Sequence, residues 1–307
     1  MARHLPMARH LNIDTLRGTS RRTRIVVVGA VALSALLAPA AISSRSHSQD
    51  AAAATTALAP TMPLAGASTS LLFQDEFNGT AVDTAKWRVK NNTWASNELS
   101  MITNRPANIY VTTGALKIKA RKEVYSVYGQ TRQYTSAYID RVGKGCWQYG
   151  IYEMRARLPT AMGVSKGLWP AFWLRPQAGG QGEIDIMEAI GTSTYDDRVS
   201  QTLWYDYART KPRLNLVAKL PSGLRSTGFH VYTLDWQKNL MRWYIDGKLT
   251  WQLDKTNAPW ITDARYNQPY CMRVNLQVGG KWPGTPDSAT NFSQTYAIDY
   301  VRVFKRV

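Results

Sequence analysis

The chain has 307 residues, with 38 Lys and Arg against 21 Asp and Glu for a formal charge of +17, two cysteines and four histidines. That length admits one large domain or two small ones. Three of the histidines, His4, His10 and His47, fall in the first fifty residues, and with only His230 beyond them a Ser-His-Asp triad or a multi-histidine zinc site is poorly supported.

Residues 1–50 read as an export signal and its flank. Arg17, Arg21, Arg22 and Arg24 precede an apolar run from Ile25 to Ala41 that ends in small residues. The run is short for a spanning helix and contains Gly29 and Pro39, so cleavage, placed after Ala40, is expected rather than a stable membrane anchor. Ser20-Arg21-Arg22 resembles a twin-arginine signal, and both the Sec and the twin-arginine routes stay open. The expected location is secreted. Residues 51–70, rich in Ala, Thr, Pro and Ser, read as a low-complexity linker, and residues 71–307 as the single folded domain.

From there the chain breaks into short apolar and β-branched runs separated by Gly, Pro, Asn and Asp. The spacing predicts strands over Asn108 to Thr112, Ala115 to Ala120, Gly150 to Leu158, Tyr232 to Trp236, Met241 to Ile245 and Ile298 to Phe304. Asp246-Gly247 marks a hairpin turn, and no long helical period occurs. The fold class read from this pattern is all-β, with two packed sheets.

Gly182-Glu183-Ile184-Asp185-Ile186-Met187-Glu188 places three carboxylates in an apolar stretch. In a regular strand Glu183 and Asp185 share a face and Glu188 falls on the other. A bulge near Met187 shifts the phase by one residue and brings all three to one side. Such a row supplies what glycoside hydrolysis with retention requires, a nucleophilic carboxylate and a proton-donating carboxylic acid about 5 to 5.5 Å apart. Three like charges this close also disfavour full ionisation, which keeps a proton in the group near neutral pH. The plain alternative is a surface strand whose acids face water.

E-I-D-I-M-E resembles the bulged E-x-D-x-x-E signature of glycoside hydrolase family 16, the laminarinase and lichenase family. The resemblance runs from Phe73 to Val307 through Asp75-Glu76-Phe77-Asn78-Gly79, Gly167-Leu168-Trp169-Pro170-Ala171-Phe172-Trp173, Arg242-Trp243-Tyr244-Ile245-Asp246-Gly247 and Val278-Gly279-Gly280-Lys281-Trp282-Pro283-Gly284. It implies a β-jelly roll sandwich of two antiparallel sheets with a concave substrate groove. It further implies Glu183 as nucleophile, Glu188 as acid/base and Asp185 as the residue that steers the nucleophile's charge. Trp169 and Trp282 match positions that stack on glucosyl rings, and Glu153 and Arg155 match a groove strand. A structural calcium with Glu76, the carbonyl of Gly114 and Asp299 as ligands is implied as well, and no cofactor for the chemistry. Where many laminarinase-like members carry Thr-x-His, this chain has Thr202-Leu203-Trp204-Tyr205, so Trp204 joins the substrate-binding candidates and points to a different linkage or sugar.

The function expected is an exported endo-acting hydrolase of β-1,3- or mixed β-1,3/1,4-glucan. The alternatives are a galactan or sulfated-galactan hydrolase of the same family, an inert carbohydrate-binding protein, and a divalent-metal site built from the acid row. Polysaccharide is the expected partner and the chain a monomer. Without residues 1–50 the charge is still about +12, but Lys and Arg are spread from Lys86 to Arg306 with no basic arm, which gives no reason to expect nucleic acid. Cys146 and Cys271 either form a disulfide or remain two buried thiols, and their 125-residue separation does not decide between these. His230 reads as a packed, hydrogen-bonded residue, and Trp173 as part of the core.

Overall fold

The computed structural model describes residues 68–307, apart from Ser96 and Ser193. The stretch read as an export signal and nearly all of that read as a linker lie outside the described residues. The strands in chain order begin with β1 (Thr69–Asp75), β2 (Arg88–Val89), β3 (Ser100–Ile102), β4 (Ile109–Thr112), β5 (Ala115–Ile118) and β6 (Arg121–Val127). They continue with β7 (Gln130–Ser136), β8 (Tyr138–Asp140), β9 (Gly150–Arg157), β10 (Leu168–Pro176), β11 (Glu183–Glu188) and β12 (Arg198–Trp204). The last six are β13 (Leu214–Lys219), β14 (His230–Gln237), β15 (Leu240–Ile245), β16 (Lys248–Asp254), β17 (Tyr270–Val278) and β18 (Tyr296–Arg306). The six strands expected from the sequence are present, each within two residues of its bounds, and β1 starts two residues inside the stretch read as linker.

Two large antiparallel sheets form the sandwich. One runs β16-β15-β14-β9-β18-β5-β4, with β1 also paired to β18, and the other runs β13-β12-β11-β10-β17-β8-β2. A small third sheet, β3-β7-β6, contains the parallel pair β3 and β7. The fold is the jelly roll expected.

Alternation along each strand decides what lies between the sheets. In β17, Met272, Val274, Leu276 and Val278 are buried in the core, leaving Arg273, Asn275 and Gln277 on the outer face. In β10, Leu168, Phe172 and Leu174 turn inward and Trp169, Ala171, Trp173 and Arg175 outward. From the opposite sheet Tyr152, Met154 and Ala156 of β9 and Val301 and Val303 of β18 meet them, so the continuous apolar layer holds both sheets in place.

Three local features fix the frame. Asp246 and Gly247 join β15 to β16 with φ of 50° and 75°, the doubly left-handed geometry of a two-residue hairpin, as the sequence predicts. His230 is buried, with Nδ1 2.7 Å from Asp246 Oδ2 and Nε2 3.3 Å from the Leu224 carbonyl, so it braces that hairpin and the loop before β14. Cys146 and Cys271 form a disulfide, which ties the segment leading into β9 to β17 in the other sheet.

Candidate active site

The site is built on β11. Its register with β10 pairs Phe172 with Met187 and Trp173 with Asp185, and its register with β12 shifts between Asp185 and Glu188. The extra residue is taken up at Ile186 and Met187, both wholly buried in the core. Turning two consecutive side chains inward restores the outward phase for Glu188. Glu183, Asp185 and Glu188 therefore line one groove of about 740 Å3 on the outer face of the second sheet. Gly182, at φ 103°, is required just before them, because a Cβ there would lie 2.4 Å from the Tyr270 hydroxyl.

Each acid has a different environment. Asp185 and Glu188 are buried and Glu183 half-buried. Loss of solvation, then the neighbouring Glu183 charge, pushes Glu188 up to about 8, against the opposing hydrogen bond from Trp169, whose Nε1 donates to Glu188 Oε1 at 2.9 Å. Desolvation and the charges of Glu188 and Glu183 hold Asp185 well above the usual carboxylate range. Glu183 is also raised by desolvation, but the Tyr207 hydroxyl donates to its Oε2 at 2.5 Å and pulls it back down, with Arg175 and Arg273 acting in the same direction. At neutral pH Glu188 keeps its proton, and among the three acids Glu183 has the tyrosine hydroxyl donor that favours its ionised form.

Aromatic and amide side chains complete the groove. Trp169 meets Trp282 edge to face, with ring centroids 5.1 Å apart, and Trp282 is 43 % exposed. Trp204 lies opposite Glu183 in the β11–β12 register, and the Arg213 guanidinium lies 5.0 Å from its ring. Asn275 and Gln277 enter from β17, and the buried Glu98, pushed up to about 7 by desolvation, accepts a hydrogen bond from Gln277. Trp169, Trp204 and Trp282, singled out from the sequence, all line this groove.

Three expectations need correction. Trp173 faces the groove and not the core, donating through Nε1 to Asn275 Oδ1 at 2.6 Å, because it shares the outward phase of Trp169 four residues earlier. Glu153 and Arg155 lie on β9, in the other sheet, and alternate with its core residues, so they point away from the groove. There Glu153 is buried and accepts from the Tyr300 hydroxyl at 2.9 Å, and Arg155 pairs with Asp299 at 2.5 Å.

Nor do the proposed calcium ligands fit the ion. Arg302 clasps the Glu76 carboxylate through Nε and Nη2 at 2.8 Å each, and Asp299 is held by Arg155, so two guanidinium groups stand where a dication would need free oxygens. Gly114 contributes a left-handed turn between β4 and β5, at φ 65°. Among the described residues no group of three or more His, Cys, Asp or Glu side chains is placed to hold a metal ion.

Tyr207, Arg175, Arg209, Arg213, Asn215, Asn275 and Gln277 are groove residues that sequence reasoning missed. Asn275 and Gln277 had a signal, since they alternate with apolar residues in Met272-Arg273-Val274-Asn275-Leu276-Gln277-Val278. Tyr207 and Arg209 sit in the β12–β13 loop, where no period exists to reveal a facing direction.

Comparison with known proteins agrees with this geometry. The chain is 34% identical over 285 residues to the Glucan endo-1,3-beta-glucosidase A1 of Niallia circulans, a match covering 80% of this chain and 39% of that protein. It is 34% identical to the Beta-glucanase of Rhodothermus marinus over 77% of this chain and 85% of the relative. The solved catalytic domain of an endo-1,3-beta-glucanase (laminarinase) from Thermotoga petrophila RKU-1 superimposes with a TM-score of 0.70 at 32% identity, covering 78% of this chain and 99% of that one. With residues 87–302 also matching the model of "Glycosyl hydrolases family 16", the chain belongs to that family and is a glycoside hydrolase.

Proposed function

We infer that this protein is an exported, monomeric endo-β-glucanase that cuts β-1,3- or mixed β-1,3/1,4-linked glucan with retention of anomeric configuration. The observation that carries the reading is the bulge at Ile186 and Met187, which sets Glu183, Asp185 and Glu188 in one groove in unlike environments. Glu183, the acid most favoured to be charged, attacks the anomeric carbon. Glu188 gives its proton to the departing glycosidic oxygen and then takes one from the water that releases the glycosyl-enzyme. Asp185 lies between the two glutamates, where burial and their charges oppose its ionisation and so limit the negative charge beside the nucleophile. No cofactor enters these steps.

Trp169, Trp173, Trp204 and Trp282 supply ring faces for sugar, and the similarity to endo-1,3-β-glucanases supports glucan over galactan. Export is supported by the Arg-then-apolar leader and agrees with a disulfide, which persists in oxidising compartments. Among the described residues no helix is long and apolar enough to cross a membrane.

The test is Glu183→Gln. Hydrolysis of laminarin and barley mixed-linkage glucan is expected to disappear while oligosaccharide binding stays nearly intact, since the amide keeps the volume and can still hydrogen-bond. Proton NMR of the first product from the unaltered enzyme is expected to show the retained anomer. First appearance of the inverted anomer excludes the mechanism, and faster cutting of agarose, carrageenan or β-1,3-galactan than of either glucan overturns the substrate.

A further inference from the structure

Basic side chains of the first sheet and of the groove differ in their partners. Four arginines of the first sheet are matched with acids. Arg155 pairs with Asp299, Arg302 with Glu76, and Arg242 and Arg306 both with Asp235. Around the groove Arg175, Arg209, Arg213 and Lys281 are lining residues, and none of the four is in a salt bridge among the described residues. Arg175 is already engaged, donating to the Gly180 carbonyl at 2.6 Å with its guanidinium 5.2 Å from the Tyr207 ring. Arg209 and Arg213 are exposed, on a loop that is held from within. Asp206 accepts from the Thr210 amide at 2.9 Å, and the Tyr207 amide donates to Gln181 at 3.1 Å.

The acids of the groove do not balance these cations. Three carboxylates face four basic groups, and Glu188, pushed up to about 8, keeps its proton at neutral pH. The groove therefore presents a positive field on the side where Arg213 lies against Trp204, at the border of a sugar platform. A neutral glucan gives such a field nothing to act on beyond hydroxyl dipoles. Guanidinium groups are matched in shape and charge to planar carboxylates and to the oxygens of sulfate esters.

We propose that the Arg209 and Arg213 side of the groove recognises an anionic substituent, a carboxylate or sulfate ester, carried by the β-glycan that this site cleaves. The proposal rests on the groove being the glycan-cleaving site argued above, and adds to it the charge of the preferred substrate.

The experiment uses the full chain as Glu183→Gln, so that binding is read without turnover. Laminarin, carboxymethylated laminarin and sulfated laminarin of matched length are titrated at low and high salt. At least one charged polymer is expected to bind about tenfold or more tightly than laminarin at low salt, with the advantage shrinking as salt rises. Which of the two gains identifies the substituent. Adding Arg209→Ala and Arg213→Ala is expected to erase the advantage, read as the ratio of charged-polymer to laminarin affinity in the same variant. A control, Lys238→Ala with Lys248→Ala, removes the same charge away from the groove and is expected to leave the advantage in place. The proposal is overturned if neither charged polymer outbinds laminarin, if the arginine pair weakens all three polymers alike, or if the lysine control does as much as the arginines. Failure of the glucan reading has a different signature, namely no binding of laminarin itself.

Discussion

Tyr207 donates its phenolic hydrogen to Glu183 Oε2, so a residue from the loop after β12 touches the carboxylate that begins β11. The bond favours the ionised acid against its desolvation. Tyr207→Phe keeps the ring and deletes only the donor, so Glu183 should protonate at higher pH. The acid limb of kcat/KM is expected to move up by about one to two pH units, matching the roughly 1.5 to 3 kcal/mol of a hydrogen bond to a charged group, and the alkaline limb to stay in place. A uniform loss of activity at every pH would show that Tyr207 only shapes the loop.

Glu188 links catalysis to stability. Its folded-state value of about 8 lies above its ordinary 4.5, so between these values the native protein holds a proton that the unfolded chain has released. The stabilisation from that proton is full below pH 4.5 and is lost as pH rises through 8. Glu188→Gln removes this titration. Its Tm is expected to fall less steeply from pH 5 to pH 8 and to exceed that of the unaltered protein at pH 8 by about 5 °C, on the order of 2 kcal/mol. Melts whose pH profiles run parallel would mean that Glu188 is not held protonated. In the unaltered enzyme kcat/KM is expected to decline above about pH 8, as the acid loses its proton.

Trp282 stands 43 % exposed at the groove's margin, its ring edge to face with that of Trp169. Its free surface is a platform for a ring. Trp282→Ala is expected to raise KM on long glucans about three- to tenfold with kcat changed less than twofold, the size of one aromatic contact. A fall in kcat at constant KM would place Trp282 in the transition state instead.

The disulfide closes a loop of 125 residues, which includes β9 to β16. Replacing both cysteines with alanine is expected to cost about 4 to 5 kcal/mol by the chain-entropy relation. Denaturant unfolding, oxidised against the double variant, measures it, and an unchanged midpoint would show that the native core alone sets the stability.

Much of this was legible because the strand period is rigid. Once E-I-D-I-M-E is read as a strand, the buried Ile186 and Met187 force the bulge, and the bulge puts three acids on one face. The same rule made Trp173 readable with Trp169, four residues away, and the size of a tryptophan wrongly argued for the core. Glu153 and Arg155 mark a different limit. Alternation separates inward from outward, but a residue facing outward from either sheet has the same pattern, and only pairing with β14 and β18 puts β9 opposite the groove. Glu76 and Asp299 carry the right chemistry for a hard cation, but Arg302 and Arg155 reach them from other strands, which spacing along the chain does not encode.

The position of β18 has a consequence in time. Residues 296–306 are made after every other strand of the described sandwich, but they lie between β9 and β5 in the interior of the first sheet and also pair with β1, the earliest of the described strands. While a growing chain lacks them, β9 has an open edge and β1 has no partner, so the sandwich cannot close until this strand has been made. Such long-range pairing makes folding slow and leaves unfinished chains prone to associate through that edge. The sandwich therefore passes its most vulnerable interval just before this eleven-residue strand arrives.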